Sequence, residues 1–365
     1  MSAKTGIEWT DATWNPVTGC AKVSQGCRNC YALRDWPRMA AAQHTVYYGR
    51  EFTDVQCHRE RLEQPIRWRR PRMIFVNSMS DLFHESVPDE FIDSVFAVMA
   101  IADQHTFQVL TKRPERMQRY MLTLQARSQE IAQAAMNVLN GNYWSDGDGM
   151  WDCVAHRIDA GPLPNVWLGV SVEDQATADE RIPHLLQTSA AVRWISAEPL
   201  LGPVDLSGEY LAKKLGGRYP FPSLADEHRT KLIDLLDWVV VGGESGRKAR
   251  PMHPAWARML RDQCKAAGVQ FLFKQWGEWK PISEMADEEC DALYRSNRVA
   301  KEGEDQRVLD DIYGRTCRVE TAAIGDGGEC GFDVAYRNNG MQMFQVGKKA
   351  AGRLLDGAGH DCYPS

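Results

Sequence analysis

Short apolar runs recur along the chain. They are RMIFVNS (72–78), TFQVLTK (106–112), NVWLGVSV (165–172), VRWISAE (192–198), DWVVVGG (237–243) and VQFLFKQW (269–276). Each is nearly continuously apolar in its middle and rich in β-branched or aromatic residues. That is the pattern of a strand buried on both faces of a parallel sheet. Helical spacing lies between several of them. In PDEFIDSVFAVMAIAD (88–103), Phe91, Val95, Val98 and Ala102 form one apolar stripe, with Ser86 as the expected cap and Pro88 at an early helical position. HPAWARMLRDQCKAAG (253–268) reads as a helix closed by Gly268, and MQMFQVGKKAAGRLLDG (341–357) reads as a closing helix. Strand–helix alternation at this rhythm predicts βαβ units. With a first strand near ATWNPV (12–17), six or seven strands result. The expected fold is α/β: a partial or distorted, TIM-like parallel (β/α) barrel rather than an open doubly wound sheet. It should form one domain over 1–365, with insertions at 120–163, 205–235 and 280–335.

Polar residues stand where the apolar runs stop. They are Asn77-Ser78-Met79-Ser80-Asp81, Thr111-Lys112-Arg113, Ser171-Val172-Glu173-Asp174, Ser196-Ala197-Glu198-Pro199, Gly242-Gly243-Glu244-Ser245-Gly246 and Lys274-Gln275-Trp276-Gly277. At any one strand end such residues are ordinary turn and cap formers. Six successive ends of a parallel barrel, however, converge on one mouth, where ligands bind. Glu198, followed by Pro199, is the least turn-like of them, and an acid there needs a partner.

Composition narrows the class. The chain has 365 residues, 44% hydrophobic and 25% charged, which is ordinary for a globular protein large enough to need no disulfides. A net charge of −6 argues against a broad nucleic-acid-binding surface but permits a local basic patch. The N-terminal MSAKTGIEWTDATWNP has no apolar segment of a signal peptide, and no run approaches the roughly 18 residues that span a membrane. A cytoplasmic location is expected, in which the ten cysteines are buried residues, ligands or catalytic groups rather than disulfides. Trp14 and the other tryptophans read as core residues.

Three of those cysteines fall close together in TGCAKVSQGCRNCYA. Cys20, Cys27 and Cys30 have the spacing C-x6-C-x2-C, with Gly19 and Gly26 each preceding a cysteine and allowing a tight backbone. A structural zinc site closes with four ligands, and neither His44, Cys57 nor His58 makes a clean motif with the triad. A [4Fe–4S] cluster on three thiolates keeps one iron open, able to bind and activate a small molecule. On spacing alone zinc and iron–sulfur stand level.

The chain also resembles a known superfamily. A three-cysteine loop after the first strand of a partial barrel is similar to the radical S-adenosylmethionine (SAM) enzymes. GIEWTDATWNPVTGC, GCRNCYA, NSMSDLFH, TKRP, GVSVED, SAEPLLGP, VVVGGESG, FKQWG and KKAAGRLLDG, spread over residues 6–357, look like a phage- and prophage-associated family of radical-SAM-like proteins. Several blocks also resemble the spore photoproduct lyase branch, which acts on DNA. The superfamily's usual spacing is C-x3-C-x2-C, and Ser-Met-Ser-Asp stands here where Gly-Gly-Glu is frequent.

The resemblance implies a [4Fe–4S] cluster on Cys20, Cys27 and Cys30, with SAM chelating the open iron. A reductant would supply one electron for SAM cleavage, and the resulting 5′-deoxyadenosyl radical would abstract hydrogen from a substrate. It places Ser80 and Asp81 near the SAM amino group. Ser171, Glu173 and Glu198 would face the ribose and methionine portions. Gly242 and Gly243, followed by Glu244, would let the backbone approach the adenine. Lys112 would pair with the SAM carboxylate or the substrate, making Lys112 and Glu198 the candidate catalytic side chains.

IRWRRPRM (66–73) and TKRPERMQR (111–119) are the basic stretches. Arg67, Arg69, Arg70 and Arg113, with Trp68, could hold a phosphate backbone and stack a base, although arginines more often form solvated faces or pair with acids. The leading expectation is a radical SAM enzyme acting on a nucleic acid or nucleoside. The competing expectations are a non-enzymatic zinc- or iron–sulfur-binding nucleic-acid-interaction protein, and a barrel enzyme whose cysteines are structural.

Overall fold

The structure, a computed structural model, describes residues 5–139, 147–207, 231–331, 333–334 and 339–364. Three short strands come first: β1 (Ala12–Trp14), β2 (Val17–Thr18) and β3 (Gln56–Cys57), the last two paired as an antiparallel ribbon. The apolar runs supply β4 (Met73–Val76), β5 (Thr106–Thr111), β6 (Val166–Ser171), β7 (Val192–Ala197), β8 (Trp238–Gly242) and β9 (Gln270–Gln275). A seven-stranded sheet forms in the order β1-β4-β5-β6-β7-β8-β9, parallel throughout and curled into a half-barrel. The expected partial parallel barrel is therefore present.

Strand alternation divides the side chains into two sets. Ile74, Val76, Phe107, Val109, Leu168, Val170, Ile195, Val239, Val241 and Phe273 belong to the main core shared with the helices. The opposite face carries a separate aromatic cluster of Phe75, Trp167, Trp194 and Trp238, joined by Trp9 from before β1. Trp9 meets Phe75, Trp194 and Trp238 nearly edge-on at centroid distances of 5.0, 5.4 and 5.7 Å, a favourable aromatic geometry. Gly169 is fixed by this layer, because a Cβ there would overlap the Trp194 indole. From the other end of the chain, Trp238 Nε1 donates to the Cys362 carbonyl at 2.8 Å, and the Tyr363 ring lies 5.5 Å from the Trp238 ring. Both chain ends thus cover the aromatic floor of the half-barrel. Towards the carboxyl ends the same face turns polar: Ser171 pairs in register with Ser196, and Glu198, Gly242 and Lys274 follow on the adjacent strands.

The helices are α1 (Tyr31–Ala40), α2 (Asp89–Ile101), α3 (Pro114–Leu122), α4 (Ser128–Leu139), α5 (Gly147–Asp159), α6 (Gln175–Leu186) and α7 (Pro254–Ala267). Helix α2 departs from its expected single stripe: every residue from Phe91 to Ala100 is buried. The reason lies in the 120–163 segment, whose α4 and α5 pack over the side of α2 that would otherwise face water. Its cap is Pro88, with no side-chain hydrogen bond; Ser86 stands short of it. Helix α7 ends as expected, with Gly268 left-handed at φ 71°.

The expected closing helix over 341–357 is not formed. Residues 280–325 instead supply β10 (Lys280–Pro281), α8 (Asp287–Asp291), β11 (Tyr294–Arg295), α9 (Gln306–Tyr313), β12 (Thr316–Cys317) and β13 (Thr321–Gly325), with β11 and β12 paired as a separate antiparallel ribbon. Strand β14 (Gly340–Phe344) pairs with both β10 and β13, leaving only the single turn α10 (Lys348–Ala351) helical. Gly347 and Gly352, both at positive φ, bracket that turn and prevent its extension. Most of the expected 205–235 insertion lies outside the described residues.

Candidate active site

The loop carrying the three thiols runs from β2 to α1 and is fastened across the carboxyl ends of four strands. Gly19 sits at φ 92°, where a Cβ would overlap the Asp54 carbonyl, and its N–H donates to the Met79 carbonyl beyond β4 at 3.2 Å. Ser80 Oγ donates to the Val17 carbonyl at 2.8 Å. Beyond β5, Arg113 Nη2 donates to the Ala21 carbonyl at 3.2 Å. Beyond β6, Glu173 accepts from Ser24 Oγ at 3.0 Å and occupies the space that a side chain on Gly26 would need. Beyond β8, Asn29 Nδ2 donates to Glu244 at 2.9 Å and to the Lys248 carbonyl at 2.8 Å, while Arg250 Nη2 donates to the Gln25 carbonyl at 3.1 Å. Tyr31, directly after Cys30, donates its hydroxyl to the Ser78 carbonyl.

The thiols share an environment. Cys20 and Cys30 pack with Met79 against the small apolar group of Ala32, Trp36 and Phe52. Burial pushes the Cys20 thiol up to about 11; the Asp81 and Cys27 charges add to this, while the Arg113 guanidinium, 3.8 Å from its sulfur, opposes it. A thiolate there needs positive charge beyond Arg113. Cys27 Sγ lies 4.0 Å from Ser24 Oγ. As placed, the thiols do not converge: among the described residues, no three His, Cys, Asp or Glu side chains are grouped to hold one ion. In composition the donor set suits an iron–sulfur cluster, with three thiols on one loop against an apolar wall. The fourth-ligand candidates point elsewhere. His58 Nε2 is 2.7 Å from Thr18 Oγ1 and its Nδ1 is 3.3 Å from Glu60, Cys57 packs on the main core, and His44 is exposed.

The acidic strand-end residues divide into saturated and open ones. Asp81 accepts from Thr111 Oγ1 (2.7 Å), the N–H groups of Lys112 and Phe83 (3.0 Å each) and Arg113 Nη1 (3.2 Å). Glu173 is fully buried and pairs with Lys112 Nζ at 2.8 Å and Arg181 Nη1 at 3.2 Å. Burial alone would raise its pKa, but Lys112, Arg181 and Ser24 outweigh that and hold it below the usual carboxylate range. Glu244 behaves alike: burial is opposed by Arg250 and Asn29, and its pKa also ends low. Glu198 differs. It pairs with Lys274 Nζ at 2.8 Å, and the two side chains keep 20% and 13% of their surface exposed to the mouth. Gly242 leaves room for that carboxylate, since a Cβ there would come within 3.2 Å of it. Gly243 instead lies directly under the Trp276 carbonyl. Ser171 is buried on the inner face beside Ser196.

Arg181, Arg250 and Tyr31 were not singled out from the sequence, and Lys274 was named only as a strand-end residue. Arg181 and Arg250 neutralise Glu173 and Glu244, and Lys274 completes the Glu198 pair. Tyr31 stands at the mouth with 44% of its surface exposed; the burial of its hydroxyl end, then Cys30 and Glu198, raise its pKa. The two arginine stretches lie at opposite ends of the strands. Arg67, Arg69 and Arg70 precede β4, at the amino ends of the strands and opposite the thiol loop, and Arg72 stacks over Trp68 at 4.9 Å. Arg113 is 7% exposed and bound to Asp81, Glu85 and the thiol loop.

A family described as "Protein of unknown function (DUF5131)" matches residues 4–364. No curated protein matches the chain. Among solved structures, a mutant spore photoproduct lyase is similar at 14% identity and a TM-score of 0.30, over 73% of this chain and 75% of that one. Among the described residues, no helix is long and apolar enough to cross a membrane.

Proposed function

The chain belongs to the DUF5131 family, and for this member we propose an enzyme that holds a [4Fe–4S] cluster on Cys20, Cys27 and Cys30 and uses it with SAM. The chemistry they supply when bound is one-electron cleavage of SAM to methionine and a 5′-deoxyadenosyl radical that removes hydrogen from a substrate. The observation that carries this reading is the anchoring of the three-thiol loop across four strand ends, above a polar mouth with a closed tryptophan floor. The engagement of His58 and the core packing of Cys57 also favour three protein ligands over the four of a structural zinc site.

The chain's own residues would prepare and shield this site. Ala32, Trp36 and Phe52 give Cys20 and Cys30 an apolar wall, and Arg113 offsets the charge of the Cys20 sulfur. Ser80, Asp81, Glu173 and Glu244 act as positioning residues, because their bonds fix the loop and the groups beside it. Glu198 and Lys274 can exchange their mutual bond for bonds to a ligand. The carboxylate suits a ribose hydroxyl or an ammonium group, and the amine suits a carboxylate. Lys112, 20% exposed beside Glu173, is a second cation for the SAM carboxylate or the substrate. Ser171 and Gly242 line the inner wall. We place the reaction in the reducing cytoplasm, where the ten free thiols persist.

The test is product formation. Anaerobically reconstituted protein, given dithionite and SAM, is expected to release 5′-deoxyadenosine detectable by liquid chromatography. Protein loaded with iron and sulfide that forms none above a no-protein control would instead indicate a binding or electron-transfer role.

A further inference from the structure

We propose that the rim of this mouth binds the phosphate backbone of a single-stranded nucleic acid, feeding a base towards Tyr31. The inference rests on the mouth being the functional site, though not on the cluster being loaded.

The chain as a whole repels polyanions, with 49 acidic against 43 basic residues. Cations nevertheless gather at one edge of the mouth. Arg28, Arg247, Lys248, Lys348 and Lys349 are all exposed, and among the described residues none has a carboxylate partner. Hydrogen bonds link the segments that carry them along this edge. Asn29, next to Arg28, donates to the Lys248 carbonyl, and Gln345 Nε2 donates to the Arg247 carbonyl at 3.4 Å. The Gly347 N–H donates to the Glu278 carbonyl at 3.0 Å, which sets Lys348 and Lys349 beside the same strand ends. Of the neighbouring acids, Asp35 is paired with Arg34 and Glu244 with Arg250, while Glu278 accepts from the Gly246 N–H and keeps its charge, one against five cations. The edge therefore presents net positive charge.

A line of cations beside an exposed aromatic is the arrangement that tracks a single strand, with phosphates on the charges and a base on the ring. Tyr31 supplies the ring, next to Cys30 and within reach of the Glu198 charge. The mouth lies below the rim, so a paired base would have to leave its duplex to enter, whereas an unpaired base enters directly. The arginines at the opposite end of the half-barrel are not required.

The probe is a short fluorescein-labelled single-stranded DNA of mixed sequence, read by fluorescence anisotropy with the full chain. Binding is expected at low salt. The triple variant Lys248→Gln/Lys348→Gln/Lys349→Gln should weaken it about tenfold or more and lower the log–log salt slope by about 2, as expected for three lost phosphate contacts. Arg69→Gln/Arg70→Gln should leave affinity unchanged. The iron and sulfide content of each preparation is measured alongside, which separates a failure of the rim from a failure of the cluster. The proposal is overturned if the strand does not bind or if the triple variant binds undiminished. Tighter binding of the matching duplex, or binding of polyglutamate but not DNA, would overturn it as well; the last result would mark the rim as facing an acidic protein.

Discussion

Glu173→Ala is expected to lower stability by about 3–5 kcal/mol, the loss typical when one partner of a buried ion pair is removed. Glu173 is 0% exposed and Arg181 2%, so the guanidinium would remain buried without a counter-charge. The same substitution removes the acceptor of Ser24 and the carboxylate seated against Gly26, and so frees the thiol loop from the end of β6. Urea denaturation measures the effect; a loss below about 1 kcal/mol, the range of an exposed pair, would contradict this role. The sign of the pH dependence follows from the same environment. The folded-state pKa of Glu173 lies below its unfolded value, so its contribution is complete above an unfolded pKa of about 4.3. That contribution disappears as pH falls through the folded value. Glu173→Gln should accordingly show a flatter fall of melting temperature on acidification than the parent protein.

Cys27→Ala is expected to abolish cluster retention, reducing bound iron about tenfold or more after reconstitution, because two thiolates do not hold a four-iron cluster against chelators. Cys57→Ala and Cys362→Ala should load like the parent. Cys57 packs on the main core and Cys362 is exposed, and neither sits on the thiol loop. Parallel melting curves separate lost ligation from lost folding. Full loading of Cys27→Ala would remove the triad from the mechanism.

The strands were legible because each apolar run is flanked by polar turns, and the structure places them within one or two residues of the expected ranges. The convergence of their ends followed from parallel topology alone. Partnerships across the sheet were not legible. Glu198 meets Lys274 from two strands away, and Glu173 meets Arg181 because α6 turns back over the end of β6. Only three-dimensional register decides such pairs. The capping box of Asp174 and Thr177 is the local signal that could have placed the start of α6, and with it Arg181. The misread 341–357 segment has apolar residues compatible with either period. There the neighbouring β10 and β13, together with Gly347 and Gly352, decided for a strand. The basic stretch at 66–73 carried no information about which end of the half-barrel it would occupy; its position immediately before β4 settles that.

The most direct measurement is the iron and acid-labile sulfide content of the chain after anaerobic reconstitution and desalting. Three thiolates on one four-iron cluster predict about four irons and four sulfides per chain. One equivalent of zinc with no uptake of iron would contradict the account.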